Sequence, residues 1–126
     1  DQNICPYIEA HPDTEFVMFF TPYSILFWYG IDRENKVEAT LAEFSYTMDR
    51  LLEYDNVRLF MFSDQEWIIT NLDQYADYCH YHTKINRYMA ESFVNGACEV
   101  TRDNKEERMQ SLRKIAQEYD FSKIFE

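Results

Sequence analysis

Two short apolar runs, Glu15-Phe16-Val17-Met18-Phe19-Phe20 and Val57-Arg58-Leu59-Phe60-Met61-Phe62, flank a stretch with a different period. Runs of this length, apolar almost throughout, suit strands covered on both faces. Between them, from Lys36 to Tyr54, Val37, Leu41, Phe44, Met48, Leu51 and Leu52 fall at steps of three and four, with charged residues opposite. That spacing predicts an amphipathic helix. A strand–helix–strand unit implies a parallel pair joined by a right-handed crossover, because a tight hairpin cannot join parallel strands. The expected fold class is therefore α/β. Two strands are too few for a stable parallel sheet with both faces covered. Further strands are expected from chain upstream or from a second copy.

The rest of the chain fits around this unit. Residues 2–10 read as the tail of a helix, with Ile4, Tyr7 and Ile8 on one face and Pro6 best placed in a first turn. His11-Pro12-Asp13-Thr14 breaks it. Thr21-Pro22-Tyr23-Ser24 ends the first strand, and Gly30 to Asn35 reads as a polar turn region. Asp55-Asn56 stops the long helix, and Ser63-Asp64 suits a cap on a short helical turn through Trp67. Thr83 is the expected cap of a helix burying Ile85, Tyr88, Met89 and Phe93, and Gly96 is its expected stop. Thr101 or Asp103 caps a last helix with Met109, Leu112, Ile115, Ala116 and Tyr119 as its apolar stripe. Phe121, Ile124 and Phe125 of the tail then dock on the core. The expected order is helix end, strand, helix, strand, loop, helix, helix.

Size and charge exclude several function classes. At 126 residues with 46% hydrophobic residues, the chain is expected to be a single domain with a real core. Its net charge of −11, with Lys and Arg spread thinly, excludes a nucleic-acid footprint and disfavours an anionic membrane surface. No apolar run approaches the ~20 residues of a membrane span. Cys5, Cys79 and Cys98 form no Cys-x-x-Cys and allow at most one internal disulfide. No cofactor is expected. The sequence begins at Asp1 rather than Met, which reads as a processed product or a fragment.

The chemistry concentrates in Asn71-Leu72-Asp73-Gln74-Tyr75-Ala76-Asp77-Tyr78-Cys79-His80-Tyr81-His82. The Asp77-x-x-His80 spacing can place a carboxylate on one imidazole nitrogen and leave the other for proton transfer. A metal reading would use Asp77, His80 and His82, with Asp73 in support. Cys79 as a nucleophile would need contact with His80, yet adjacent residues point apart in strands and in helices. Ser24 and Ser63 follow strands but lack a nucleophile-elbow context, so turn or cap roles are expected. Tyr23, Phe27, Trp28 and Tyr29 fall on the same sheet edge as the Asp-His loop. Tyr23, Trp28 and Tyr29 are the candidate substrate-binding residues of a carbohydrate or acyl pocket, against a reading as core packing. Trp67, Tyr75, Tyr78 and Tyr81 carry the same two readings.

Asp-x-x-His after the last core strand, followed by a helix, resembles the last conserved block of the SGNH (GDSL-type) hydrolases. The surrounding sequence is similar to a set of long bacterial SGNH-like proteins. The residues that carry this are Pro12-Asp13-Thr14, Phe19-Phe20-Thr21-Pro22-Tyr23-Ser24, Tyr54-Asp55-Asn56-Val57-Arg58, Asn71-Leu72-Asp73-Gln74-Tyr75, His80-Tyr81 and the ending Tyr119-Asp120-Phe121 to Ile124-Phe125. The resemblance implies a three-layer α/β/α, flavodoxin-like fold with a Ser-His-Asp site. It makes His80 the general base and Asp77 its orienting carboxylate. In that superfamily the Ser lies in an N-terminal Gly-Asp-Ser block, and oxyanion donors come from a middle Gly and Asn. Neither Gly-Asp-Ser nor Gly-x-Asn-Asp occurs here, and Gly30 and Gly96 stand in other contexts. His82 also stands where a close relative is expected to have a residue that does not compete for Asp77.

Residues 1–126 are therefore expected to be the C-terminal portion of a larger SGNH-like esterase or acyltransferase domain, inactive alone. The implied substrate is an acylated cell-envelope carbohydrate, and the implied location is outside the cytoplasm. The alternative is a non-catalytic scaffold that self-associates through an unpaired strand edge. In either case the isolated chain is expected to dimerise or to expose apolar surface. Light scattering with a dye-binding assay checks this, and a compact monomer that binds no dye would overturn it.

Overall fold

In the computed structural model, which describes residues 2–125, the two apolar runs lie side by side. They form β1 (Phe16–Phe20) and β2 (Val57–Met61), parallel and in register from Phe16 opposite Val57 to Phe20 opposite Met61. The chain crosses between them through α2 (Ile25–Arg33) and α3 (Val37–Leu51). A short strand, β3 (Glu99–Val100), runs antiparallel on the other side of β2. The helices α1 (Cys5–Ala10), α4 (Glu66–Ile69), α5 (Thr83–Asn95) and α6 (Lys105–Glu118) complete a mixed α/β fold with six helices among the described residues. No helix among them is long and apolar enough to cross a membrane.

Alternation along the strands divides the core. Successive side chains of β2 point to opposite faces, so Leu59 and Met61 are buried on one side and Phe60 and Phe62 on the other. Phe44 of α3 meets Phe20 on the Met61 side, with ring centroids 4.7 Å apart. Phe93 of α5 meets Phe60 on the opposite side at 5.1 Å. The α3 stripe read from the sequence is the buried one: Val37, Leu41, Met48 and Leu51 face inward, and Phe44 and Leu52 pack against them. In α6, Met109, Leu112, Ile115 and Ala116 are buried, and Phe121 and Ile124 of the following 3-10 turn pack on the core.

Three features differ from the sequence reading. First, Gly30 to Asn35, expected as a turn region, is the second half and end of a helix that begins at Ile25. Ile25 and Trp28, three apart, bury one face of α2. Gly30 sits in its interior, and since nothing lies within 4 Å of where a Cβ would be, no close contact requires a glycine there. The chain leaves the helix at Asn35, whose φ of 55° is the left-handed conformation that Asn tolerates. Second, β3 gives the sheet a mixed third strand. Third, the caps move. His82, not Thr83, caps α5, its Nδ1 accepting from the Lys84 N–H at 3.1 Å. Asn104 begins α6, exchanging hydrogen bonds with Thr101: the Thr101 N–H donates to Asn104 Oδ1 and the Asn104 N–H to Thr101 Oγ1. Gly96 does stop α5, at φ 78°.

A few polar contacts tie distant segments. The Asn56 amide donates to the carbonyls of Ile8, His11 and Thr14, pinning the α1–β1 link. Arg58 donates to both Glu99 carboxylate oxygens, at 3.0 and 2.8 Å, joining β2 to β3. Past β2, Arg108 of α6 forms a two-point ion pair with Asp64 and donates to the Met61 carbonyl at 2.7 Å. β1 is the outer strand of the sheet, and Val17 and Phe19 remain 39% and 45% exposed beside that edge.

The Asp64 side chain is only 3% exposed. Removing Arg108 alone would leave its charge buried without an ion-pair partner, with only the Gln65 side-chain amide donating to it, at a cost of about 3 kcal/mol. Urea denaturation of Arg108→Met should show that loss. The double variant Asp64→Asn/Arg108→Met should recover part of it, because the orphaned charge is then gone.

Candidate functional site

The loop after α4 is built by its own backbone. A 3-10 turn at Leu72–Gln74 leads into an antiparallel bridge between Tyr75 and Tyr81. The Ala76 N–H donates to the His80 carbonyl at 2.8 Å, and the His82 N–H to the Gln74 carbonyl at 2.7 Å. Residues 75–81 thus form a small hairpin-like loop. It is fastened to the chain leaving β1. The Tyr75 hydroxyl donates to the Pro22 carbonyl at 2.7 Å. The N–H and Oγ of Ser24 both donate to the Tyr78 carbonyl, at 2.8 and 2.9 Å. The loop therefore sits by the carboxyl end of a parallel strand, where open α/β sheets carry their sites.

Asp77 occupies the turn of this loop. Its Oδ1 accepts from the N–H groups of Cys79, at 2.8 Å, and His80, at 2.7 Å, an Asx turn. Its Oδ2 lies 2.6 Å from His80 Nδ1. The Cys79 N–H first, then the His80 ring and the His80 N–H, hold the Asp77 carboxyl well below the usual carboxylate range. With the carboxylate ionised, Nδ1 carries the shared proton and Nε2 is left as the basic nitrogen. The His80 side chain is 77% exposed, and among the described residues its Nε2 has no hydrogen-bond partner. The arrangement can accept a proton at Nε2 and stabilise the resulting imidazolium.

The other candidates separate clearly. Cys79 Sγ lies 3.5 Å from His80 Nδ1. The contact arises because the loop is neither strand nor helix, so the expectation that neighbours point apart does not hold here. It does not make a nucleophile. Nδ1 is already held by Asp77, and burial first, then Asp77, push the Cys79 thiol up, the reverse of an activated thiolate. His82 Nδ1 is used in capping α5. Ser24 and Ser63 are buried, and each spends its hydroxyl proton on a carbonyl, that of Tyr78 and of Thr21. No disulfide joins Cys5, Cys79 and Cys98.

Of the three aromatics singled out, the structure brings Tyr23 to the loop, with its ring centroid 5.0 Å from Phe27 and 6.5 Å from Tyr78. Trp28 is 1% exposed, wedged between Phe27 and Phe44, and has no surface to offer a ligand. Tyr29 packs instead on Phe121 and Phe125 near the C-terminus. Tyr78, half exposed beside Asp77, is the aromatic best placed to touch a molecule at the pair. No family model, curated protein or solved structure matches the chain.

Because the Asp77 carboxyl is depressed, what it adds to the loop is fully present above the ordinary carboxylate value of about 3.9 and is lost as pH falls below it. The carbon-13 signal of the Asp77 carboxyl should therefore stay that of a carboxylate from neutral pH to about 4, and move only at lower pH. In Asp77→Ala the Cys79 and His80 amides should exchange with solvent about fivefold faster, matching the loss of roughly 1 kcal/mol of hydrogen bonding.

Proposed function

We propose that this chain supplies the Asp-x-x-His block of an SGNH-like esterase or acyltransferase acting on O-acylated cell-envelope glycans. The observation that carries this is the clamped Asp77–His80 pair, with Nδ1 held at 2.6 Å and Nε2 facing outward beside the end of β1. The parallel β1–β2 pair with its helical crossover supports a partial three-layer, flavodoxin-like domain. The Tyr23–Tyr78 contact supports a sugar substrate, since aromatic faces suit the apolar faces of sugar rings.

In this reading a serine hydroxyl from a Gly-Asp-Ser block upstream attacks the ester carbonyl. His80 Nε2 takes the hydroxyl proton as the oxygen–carbon bond forms. Asp77 stabilises the imidazolium. His80 then gives that proton to the departing sugar oxygen, leaving an acyl-serine. Water or a second hydroxyl, deprotonated by the same nitrogen, releases the acyl group. The reaction belongs outside the cytoplasm, where such glycans lie. A second reading, a non-catalytic scaffold, is favoured by the outer edge of β1, where Val17 and Phe19 are exposed.

The test is hydrolysis of 4-nitrophenyl acetate and of an acetylated oligosaccharide by the protein extended upstream through a Gly-Asp-Ser block. His80→Ala should lower kcat by about 10⁶-fold, as for a removed triad histidine. Equal rates in the two proteins would favour the scaffold.

A further inference from the structure

We propose that Asp77, Cys79 and His80 form a binding site for one thiophilic divalent cation such as Zn²⁺, Co²⁺ or Cd²⁺. Each of these residues offers one ligand atom, and the three atoms lie within 4.8 Å of one another. They represent three donor types, a carboxylate oxygen, a thiolate sulfur and an imidazole nitrogen. A mixed set containing sulfur and nitrogen selects Zn²⁺-like ions over Mg²⁺ and Ca²⁺, which prefer oxygen alone.

A tetrahedral centre requires the three ligand atoms, now within 4.8 Å of one another, to settle at even spacing. Bonds of about 2.3 Å to sulfur and about 2.0 Å to nitrogen and oxygen put neighbouring ligand atoms about 3.3–3.6 Å apart. The Cys79 Sγ to His80 Nδ1 separation is already 3.5 Å. The His80 Nδ1 to Asp77 Oδ2 separation is 2.6 Å and must open as the ion takes the place of the shared proton. An exposed imidazole can make that adjustment by turning about its side-chain bonds. Asp77 Oδ1 stays fixed by the two backbone N–H groups, so Oδ2 keeps its aim. The ion displaces the Cys79 thiol proton and the proton between Asp77 and His80. The fourth position is left for water, as in sites that keep one position open.

This set differs from the one spacing suggested. His82 is engaged in capping α5, and Cys79 takes its place because the Asx turn folds the thiol back toward His80. The ion would use the two atoms that orient His80 for proton transfer, so it would silence the catalytic pair. That consequence rests on the esterase reading; the binding does not.

Cobalt spectroscopy on the chain tests binding without any activity. Co²⁺ titration should give a thiolate-to-cobalt band in the near ultraviolet that saturates at one ion per chain and is bleached by Zn²⁺ but not by Mg²⁺. Cys79→Ser should abolish the band. Asp77→Asn and His80→Ala should weaken Co²⁺ binding at least tenfold, whereas Cys98→Ser should leave it unchanged. Absence of the band in the parent protein, or its survival in Cys79→Ser, would overturn the proposal. Circular dichroism of each variant separates loss of ligand from loss of fold.

Discussion

The parallel pairing of β1 with β2 is the constraint on which the rest of the molecule depends. Parallel strands cannot be joined by a tight turn, so the chain must cross over, and the crossover carries α2 and α3. The pairing also sends both strands out at the same end of the sheet. Phe20 leads to Pro22 and Ser24, and Met61 leads to Ser63 and Asp64. Those two exits are then sewn together. The Ser63 hydroxyl bonds the Thr21 carbonyl, and the Phe62 N–H bonds the Phe20 carbonyl. The Asp77–His80 loop rests on the first exit. α6 grips the second through Arg108. An antiparallel pair would have sent these segments to opposite ends and left the loop without its anchor.

The loop itself shows how backbone geometry can prepare a side chain. Asp77 is placed by contacts inside a few residues of sequence: its own turn amides, the Ala76–His80 bond and the Tyr75–Tyr81 bridge. Longer-range contacts only dock the finished loop, through Tyr75 to Pro22 and Ser24 to Tyr78. That division explains why an exposed pair can still hold a short Nδ1–Oδ2 separation. Surface ion pairs usually contribute little because long side chains must be ordered to make them. Here the carboxylate is ordered by main-chain donors, and the imidazole is three residues away on the same turn.

The parts of this arrangement legible in the sequence are those governed by period and by local chemistry. Val37 to Leu51 announced α3, the two apolar runs announced β1 and β2, and Asp-x-x-His announced a pair. α2 was obscured because Ile25 to Tyr29 is apolar at every position and so has no period, while Gly30 spoke for a turn. β3 is two residues long, too short for alternation to register. The Cys79–His80 contact was hidden because rules for neighbouring residues assume regular structure. The docking of the loop depends on the carbonyls of Tyr78 and Pro22, and any residue carries a carbonyl. Asp64 and Arg108 are 44 positions apart, and nothing local links them. Trp28 shows the limit in the other direction. Its residue type suggested a ligand platform, but burial is decided by the helix face, and Ile25 and Trp28 lie on the inner one.

Exposure also decides what the pair requires to become a catalyst. Orientation is already present in the chain, because the turn sets it. Electrostatic strength is not. A charge pair is worth about fourfold less in bulk water than at a partly shielded protein surface, and transition-state stabilisation depends on excluding water. His80 shares its loop with Tyr78, but most of its ring is open to solvent. In the proposed enzyme the segment that brings the serine must therefore bring a desolvating surface as well. The two needs are met by one event, since a hydroxyl placed within hydrogen-bond reach of Nε2 is carried by backbone that covers the ring. A nucleophile supplied without that cover would face a correctly aimed base still open to water. The geometry of Asp77 and His80 is thus the part of the chemistry that a loop can hold on its own, and their environment is the part it must acquire from a neighbour.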